Sequence, residues 1–216
     1  MATVGVANTF YILGAFYFLV MIVAAQFIKK PRPHELPQAI AQNAQRLSLT
    51  GQELTANQAL RTRTFAFLWF MFFINITTGI GLVSAASPMA QNMTTMTASA
   101  AAVMVGILGL FNGFGRLAWA TLSDYIGRPL TYSLIFILDI AMLFVLLFFK
   151  TPFIFALALC LLLSCYGAGF SVIPAYLGDV FGTKQLGAIH GYILTAWAAA
   201  GMVGPVLLSY THQVLH

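Results

Sequence analysis

The sequence predicts an all-α membrane protein with six transmembrane helices. Three observations predict it. Of 216 residues, 60% are hydrophobic and only 7% charged, where a soluble domain carries about 25% charged residues. Mean hydropathy is +0.89. The apolar residues gather into six runs, near Asn8–Ile28, Thr64–Pro88, Ala98–Leu122, Leu130–Phe149, Pro152–Leu177 and Leu186–Tyr210. Each is long enough to cross a hydrocarbon core of about 30 Å.

The first run is not a signal peptide. It lacks a basic leader, and Lys29 and Lys30 follow it instead of preceding it. The cations set an orientation. Lys29, Lys30, Arg32, Arg46, Arg61 and Arg63 lie between runs one and two, Arg128 between three and four, and Lys184 between five and six. These connections share one side, read as cytoplasmic, against Lys150 alone on the other, so both termini are expected outside. The net charge of +5 belongs to these loops. It is no nucleic-acid footprint, because no soluble face gathers the cations.

Residues 29–63 form the one long polar connection. Pro31, Pro33 and Pro37 stop the first helix. Ala39–Leu47 has the composition of a surface helix. Thr55 and Gln58 have capping-box spacing, which predicts a short helix leading into the second span. The domain reading follows: a transmembrane helix at 1–28, a cytoplasmic loop at 29–63 and a transmembrane bundle at 64–216.

The second run carries Asn75, Thr77, Thr78, Gly79, Gly81 and Ser84. Helices in lipid pack through small residues, so its glycines predict close contact or a bend. In the third run Gly106, Gly109 and Gly113 recur at helical spacing, and Asn112 and Arg116 share a face. The glycines are read as packing residues. Arg116 precedes the turn residue Asp124 by eight positions, about 12 Å at helical rise. A cation at that depth costs roughly 2.5–3.5 kcal/mol on insertion scales, so its default reading is functional. A snorkelling or paired arginine is the plain alternative. Asn112 is placed either to orient the guanidinium or to touch a ligand.

The fourth run holds Asp139, eleven residues past Arg128 and so about 16 Å deep. It is read equally as a proton carrier and as a charge partner of Arg116 or of a backbone donor. The fifth run ends YGAGFSVIPAYLGDVFG. Tyr166 and Tyr176 supply polar tips there, and Pro174 predicts a kink. Cys160 and Cys165, five apart on one helix, point to different sides and predict no disulfide. The sixth run has Gly187 and Gly191 four apart, read as a packing face, and Trp197 seven residues beyond His190. The sequence holds no phosphate-binding glycine loop, no cluster with metal-ligand spacing and no serine elbow. It predicts no enzyme, no cofactor and no metal.

At Ala120–Leu130 the run ATLSDYIGRPL resembles the loop signature of the major facilitator superfamily, G-x-L-a-D-r-x-G-r-k. Leu122, Ser123, Asp124, Gly127 and Arg128 match; Ala120, Tyr125 and Pro129 depart. The runs ALRTRTFAFLWFMFFINITTGIGLVSAASPM, NGFGRLAWATLSD, YLGDVFGTK and GAIHGYILTAWAAAG are similar to the oxalate/formate antiporter family, over nearly the whole chain. The resemblance implies a partial major-facilitator-type bundle, equivalent to helices six to eleven of a twelve-helix transporter. The N-terminal half would then be a missing partner. It implies secondary active transport of a small organic anion, a monocarboxylate or a formate- or oxalate-like anion, with a proton or counter-anion as coupled ion, in the bacterial inner membrane. Arg116 matches the arginine that similar carriers hold against the substrate carboxylate. Asn112 would support it, Trp197 would wall the site, and Tyr166 and Asn75 would complete it. Asp124, Gly127 and Arg128 would form the gating loop. Trp197 stands where some relatives carry a second cation, which favours a monocarboxylate. The rival reading is a non-transporting membrane fragment or assembly subunit.

Overall fold

A computed structural model describes residues 5–27 and 53–215, without side-chain detail at 6, 208 and 211–215. The chain divides into two units, one carrying α1 (Val6–Phe27) and the other carrying the remaining helices. These are α2 (Ala56–Leu60), α3 (Arg63–Thr94), α4 (Ala98–Ile126), α5 (Arg128–Phe148), α6 (Pro152–Phe181) and α7 (Leu186–Leu215). Six of the seven helices, all but α2, are long and apolar enough to cross a membrane, as the hydropathy pattern predicts. The described residues contain no strand. The expected surface helix at Ala39–Leu47 lies outside the described residues.

The helix ends follow local chemistry. Thr55 caps α2 through the expected capping box: its hydroxyl accepts from the Gln58 backbone while the Gln58 side chain accepts from the Thr55 N–H. Thr62 and Thr97 cap α3 and α4, accepting from the N–H groups of Phe65 and Ala100. The second span does not stop at Pro88. The helix continues to Thr94, with Pro88 inside it, and Thr95 ends it in the left-handed conformation at φ 59°. Proline removes one helical hydrogen bond, a loss that membrane helices absorb through neighbouring groups. α6 likewise runs through Pro174 to Phe181, beyond the Leu177 boundary. Between α4 and α5 the polar turn shrinks to one residue. Gly127 ends one helix and starts the next at φ 87°, ψ 155°, a conformation closed to residues with a Cβ.

α6 is the central element of the second unit, packed against α3, α4 and α5, while α7 lies chiefly along α3. Two apolar cores form. One, toward the ends near α2, is built on Phe72, Ile76, Tyr132, Ile173 and Leu177. The other, toward the opposite ends, is built on Leu82, Met104, Leu108, Phe155 and Leu159. Lipid is as apolar as these side chains, so van der Waals fit rather than expulsion of water holds the helices together. That fit depends on close backbone approach. A Cβ on Gly115 would sit 2.5 Å from the Ser164 carbonyl oxygen. One on Gly204 would sit 2.9 Å from the Thr77 carbonyl oxygen. Gly167 and Gly169 are pressed against Asn112 and Asn75 in the same way.

The packing role expected of Gly106, Gly109, Gly113, Gly187 and Gly191 is not what the structure gives them. A Cβ at any of these five would meet nothing within 4 Å among the described residues. They lie on faces that α6 and α3 do not cover. Spacing alone does not tell which side of a helix its neighbours occupy.

The segment before α3 is tied down. The Leu54 N–H donates to the Phe181 carbonyl at 3.1 Å, and the Ala56 N–H to Gln185 Oε1 at 2.7 Å. Ala56 and Ala59 are buried beneath these bonds.

Candidate functional site

The intramembrane polar residues meet at the level where the two apolar cores adjoin. Tyr166 packs against both cores. The helical rise from Asp124 puts Arg116 about 12 Å along α4, on a continuous helix. Its side chain is exposed. Its guanidinium lies over the Phe170 ring, 5.1 Å from the centroid, within cation–π range. Phe170 is itself the hub of an aromatic group. It meets Tyr166, Trp197 and Phe72 edge to face at 5.6, 5.8 and 5.4 Å. Among the described residues Arg116 has no acidic partner; the ion pairs formed there belong to Arg128.

Asn112 sits one turn before Arg116 and donates weakly to the Leu163 carbonyl at 3.4 Å. Its side chain therefore spans the α4–α6 contact while remaining half-buried. Asn112 and Tyr166 also line a cleft of about 230 Å³, walled by Val83, Val105, Leu108 and Leu163. Gly109 opens one side of it, which gives that glycine a place at the cleft rather than at a helix contact. The lining is mostly apolar, with two polar groups, the composition of a small-molecule site.

The structure thus brings Arg116, Tyr166 and Trp197 together, with Asn112 one turn away. It does not bring Asn75 to the same surface. Asn75 is 1% exposed, and its Nδ2 donates to the Cys165 carbonyl at 3.2 Å. It belongs instead to the α3–α6 contact; Asp139 of α5 is buried as well, 6% exposed. Asp139 does not pair with Arg116: no ion pair joins them, and the guanidinium turns to Phe170. The sequence alone leaves that pairing open. Cys160 and Cys165 are both free and buried, as their spacing predicts.

The loop residues form a charged cluster at the end of the bundle. Arg128 reaches Asp124 of its own chain turn at 2.6 Å and Asp179 at the end of α6 at 3.2 Å. It also donates to the Ser123 hydroxyl. Gly127 sets this geometry by joining the two helices without an intervening loop.

Phe170, Phe72 and Asp179 were not singled out from the sequence. Phe170 lies four residues after Tyr166, so a helical reading places both on one face. That signal was available. Nothing in the spacing of Asp179 announced its partner across 51 residues.

The Major Facilitator Superfamily matches residues 1–205. The chain is 27% identical over 205 residues to the oxalate:formate antiporter of Oxalobacter formigenes, covering 93% of this chain and 46% of that protein. It is 24% identical over 193 residues to an uncharacterized MFS-type transporter, YhjX, of Escherichia coli, covering 88% and 46%. It is 29% identical over 171 residues to apicoplast pyruvate carrier 1 of Toxoplasma gondii, covering 71% and 30%. The chain therefore spans less than half the length of these relatives. With six apolar helices and a family match over nearly its whole length, this is a multi-pass integral membrane protein, and the chain belongs to the major facilitator superfamily.

Proposed function

We propose that this chain forms part of a secondary transporter for a small organic anion, a formate- or oxalate-like carboxylate, that works by alternating access between two bundles. One observation carries the reading. Arg116, without an acidic partner among the described residues, presents its guanidinium on an aromatic platform of Phe170, Tyr166 and Trp197, at membrane depth. A guanidinium held over a ring retains N–H donors, and these match a carboxylate bidentately. Asn112 offers a further amide one turn away. The relatives' names supply oxalate, formate and pyruvate, all carboxylates. Residues 64–216 are the bundle that carries the site, residues 29–63 the connection between bundles, and 1–28 a span of the other bundle. The chain would work in a bacterial inner membrane beside a complementary N-terminal half, without cofactor and without catalysis of a covalent change.

The test is substitution of Arg116 in a transporter that includes the helices its relatives possess. Arg116→Gln abolishes uptake, and Arg116→Lys, which keeps the charge but not the planar fork, cuts it by at least tenfold. Both proteins still insert and remain folded. Because Asp139 is not its partner, Arg116→Gln combined with Asp139→Asn stays inactive. Recovery of uptake in that double variant would remove Arg116 as the anion ligand. Full assembly with no uptake of any carboxylate by the unsubstituted protein would favour the non-transporting subunit instead.

A further inference from the structure

We propose that the cleft beside Asn112 takes the apolar tail of a carboxylate whose head is held at Arg116, and that Gly109 sets the length of tail admitted. The inference rests on the anion-carrier reading for the head. It extends that reading to the rest of the molecule, an aliphatic carboxylate larger than formate or oxalate.

The cleft and the arginine share one line of α4. Arg116, Asn112, Gly109 and Val105 are separated by four, three and four residues, which puts them on one helix face. Along the axis Asn112 stands about 6 Å from Arg116, and Gly109 about 10.5 Å. Asn112, Gly109 and Val105 line the cleft, with Val83 facing them from α3 and Leu163 and Tyr166 from α6. Tyr166 links the two ends. Its ring meets Phe170 edge to face at 5.6 Å, and Phe170 is the ring beneath the guanidinium. That ring is seated on α3 at Gly79, where an added Cβ would overlap it. Tyr166 is therefore a wall common to the head site and the cleft.

Polarity falls along this line in one direction. It starts with a cation at Arg116, passes the Asn112 amide and the Tyr166 phenol, and ends in hydrocarbon at Val83, Val105 and Leu163. An amphiphilic carboxylate presents the same order from head to tail. The size fits as well. The cleft holds about 230 Å³, and an apolar cavity of about 150 Å³ accepts a benzene ring, so a tail of about four to six carbons has room. Formate and oxalate have no tail to meet these walls. Gly109 bounds the space from α4. A Cβ there meets nothing within 4 Å among the described residues, while one at Gly115 or Gly167 runs into a neighbouring backbone. The side chain absent from Gly109 is thus volume given to the cleft rather than to a helix contact.

The 216-residue chain in lipid nanodiscs is titrated at pH 7 with formate, butanoate and hexanoate by calorimetry, with empty nanodiscs as the blank. Each methylene buried in the cleft tightens binding about fourfold, so hexanoate binds at least about tenfold tighter than butanoate. Gly109→Leu fills the cleft from α4 and Val83→Phe from α3, and each lowers that ratio to about threefold or less. A ratio taken within one protein is insensitive to how much of it is folded. Equal affinities for butanoate and hexanoate in the unsubstituted chain overturn the proposal, whatever the variants do. A ratio retained in both variants overturns the assignment of the tail to this cleft. Formate binding without any gain from a tail overturns the tail site and leaves the carrier reading standing. Binding of none of the three acids overturns both. Hexanoate affinity unchanged in Arg116→Gln places the head elsewhere and overturns the proposal.

Discussion

Gly113 and Gly115 are two residues apart on α4, and the structure assigns them opposite responses to the same substitution. A Cβ on Gly113 meets nothing within 4 Å among the described residues. Gly113→Ala therefore gains helix propensity, up to about 1 kcal/mol. A Cβ on Gly115 falls 2.5 Å from the Ser164 carbonyl oxygen and 2.6 Å from its Cα. Ordinary contact begins near 3.4 Å, so α4 and α6 must separate by nearly 1 Å. Overpacking of this kind costs about 1–3 kcal/mol. The shift also strains the Trp119 Nε1–Ser164 Oγ hydrogen bond, already long at 3.4 Å, worth about 0.5–1.5 kcal/mol when well formed. After the propensity gain, Gly115→Ala loses about 1–3 kcal/mol and falls below Gly113→Ala by roughly 2–4 kcal/mol. Equilibrium unfolding of the chain in mixed micelles, followed by tryptophan fluorescence, reads both. Equal stability of the two variants would refute the α4–α6 crossing described here, and with it the placement of Arg116 one residue further on.

Further outcomes follow from other contacts. Arg128→Gln removes two partly exposed ion pairs worth about 0–1 kcal/mol each and the hydrogen bond to buried Ser123, about 0.5–1.5 kcal/mol; unfolding stability drops by no more than about 3.5 kcal/mol, and a larger drop would assign Arg128 a structural role beyond these contacts. Trp69→Phe deletes the 2.9 Å bond from Nε1 to Thr195 Oγ1 that joins α3 to α7, and costs about 0.5–1.5 kcal/mol in the same assay. Gln185→Ala leaves the Ala56 N–H without its acceptor, so hydrogen exchange across residues 54–60 accelerates; unchanged protection there would show that the tether carries no weight. With Cys160 and Cys165 replaced by alanine, single cysteines at Ile40 and Asn92 are labelled from opposite sides of the membrane, as the cation distribution requires. Labelling of both from one side would reverse that topology.

The spans were legible because hydropathy is a property of each segment alone. Their ends were less so. Pro88 reads as a stop in isolation, yet the helix goes through it to Thr94, since a helix in lipid has no better alternative for its backbone. The capping box at Thr55 was legible for the same reason as the spans: both halves of the motif lie within four residues. What the sequence did not disclose is rotation. Gly113 and Gly115 look alike in a list of small residues, and only the position of α6 separates the open face from the tight one. The same missing angle hid the bond from Asn75 to Cys165, and kept Phe170 from being joined to Arg116. Depth along a helix can be counted from its end; azimuth needs the neighbours.

The joint at Gly127 has a mechanical meaning. A connection one residue long has no slack, so α4 and α5 cannot slide along each other without breaking the ends of both. Arg128, the first residue after the joint, is held from Asp124 before it and from Asp179 on α6, which makes the corner a braced hinge rather than a free one. A load applied to Arg116 would reach the foot of α5 by rigid leverage. Two or three residues inserted after Gly127 would act as a clutch, leaving each helix intact while disconnecting the movement of one from the other.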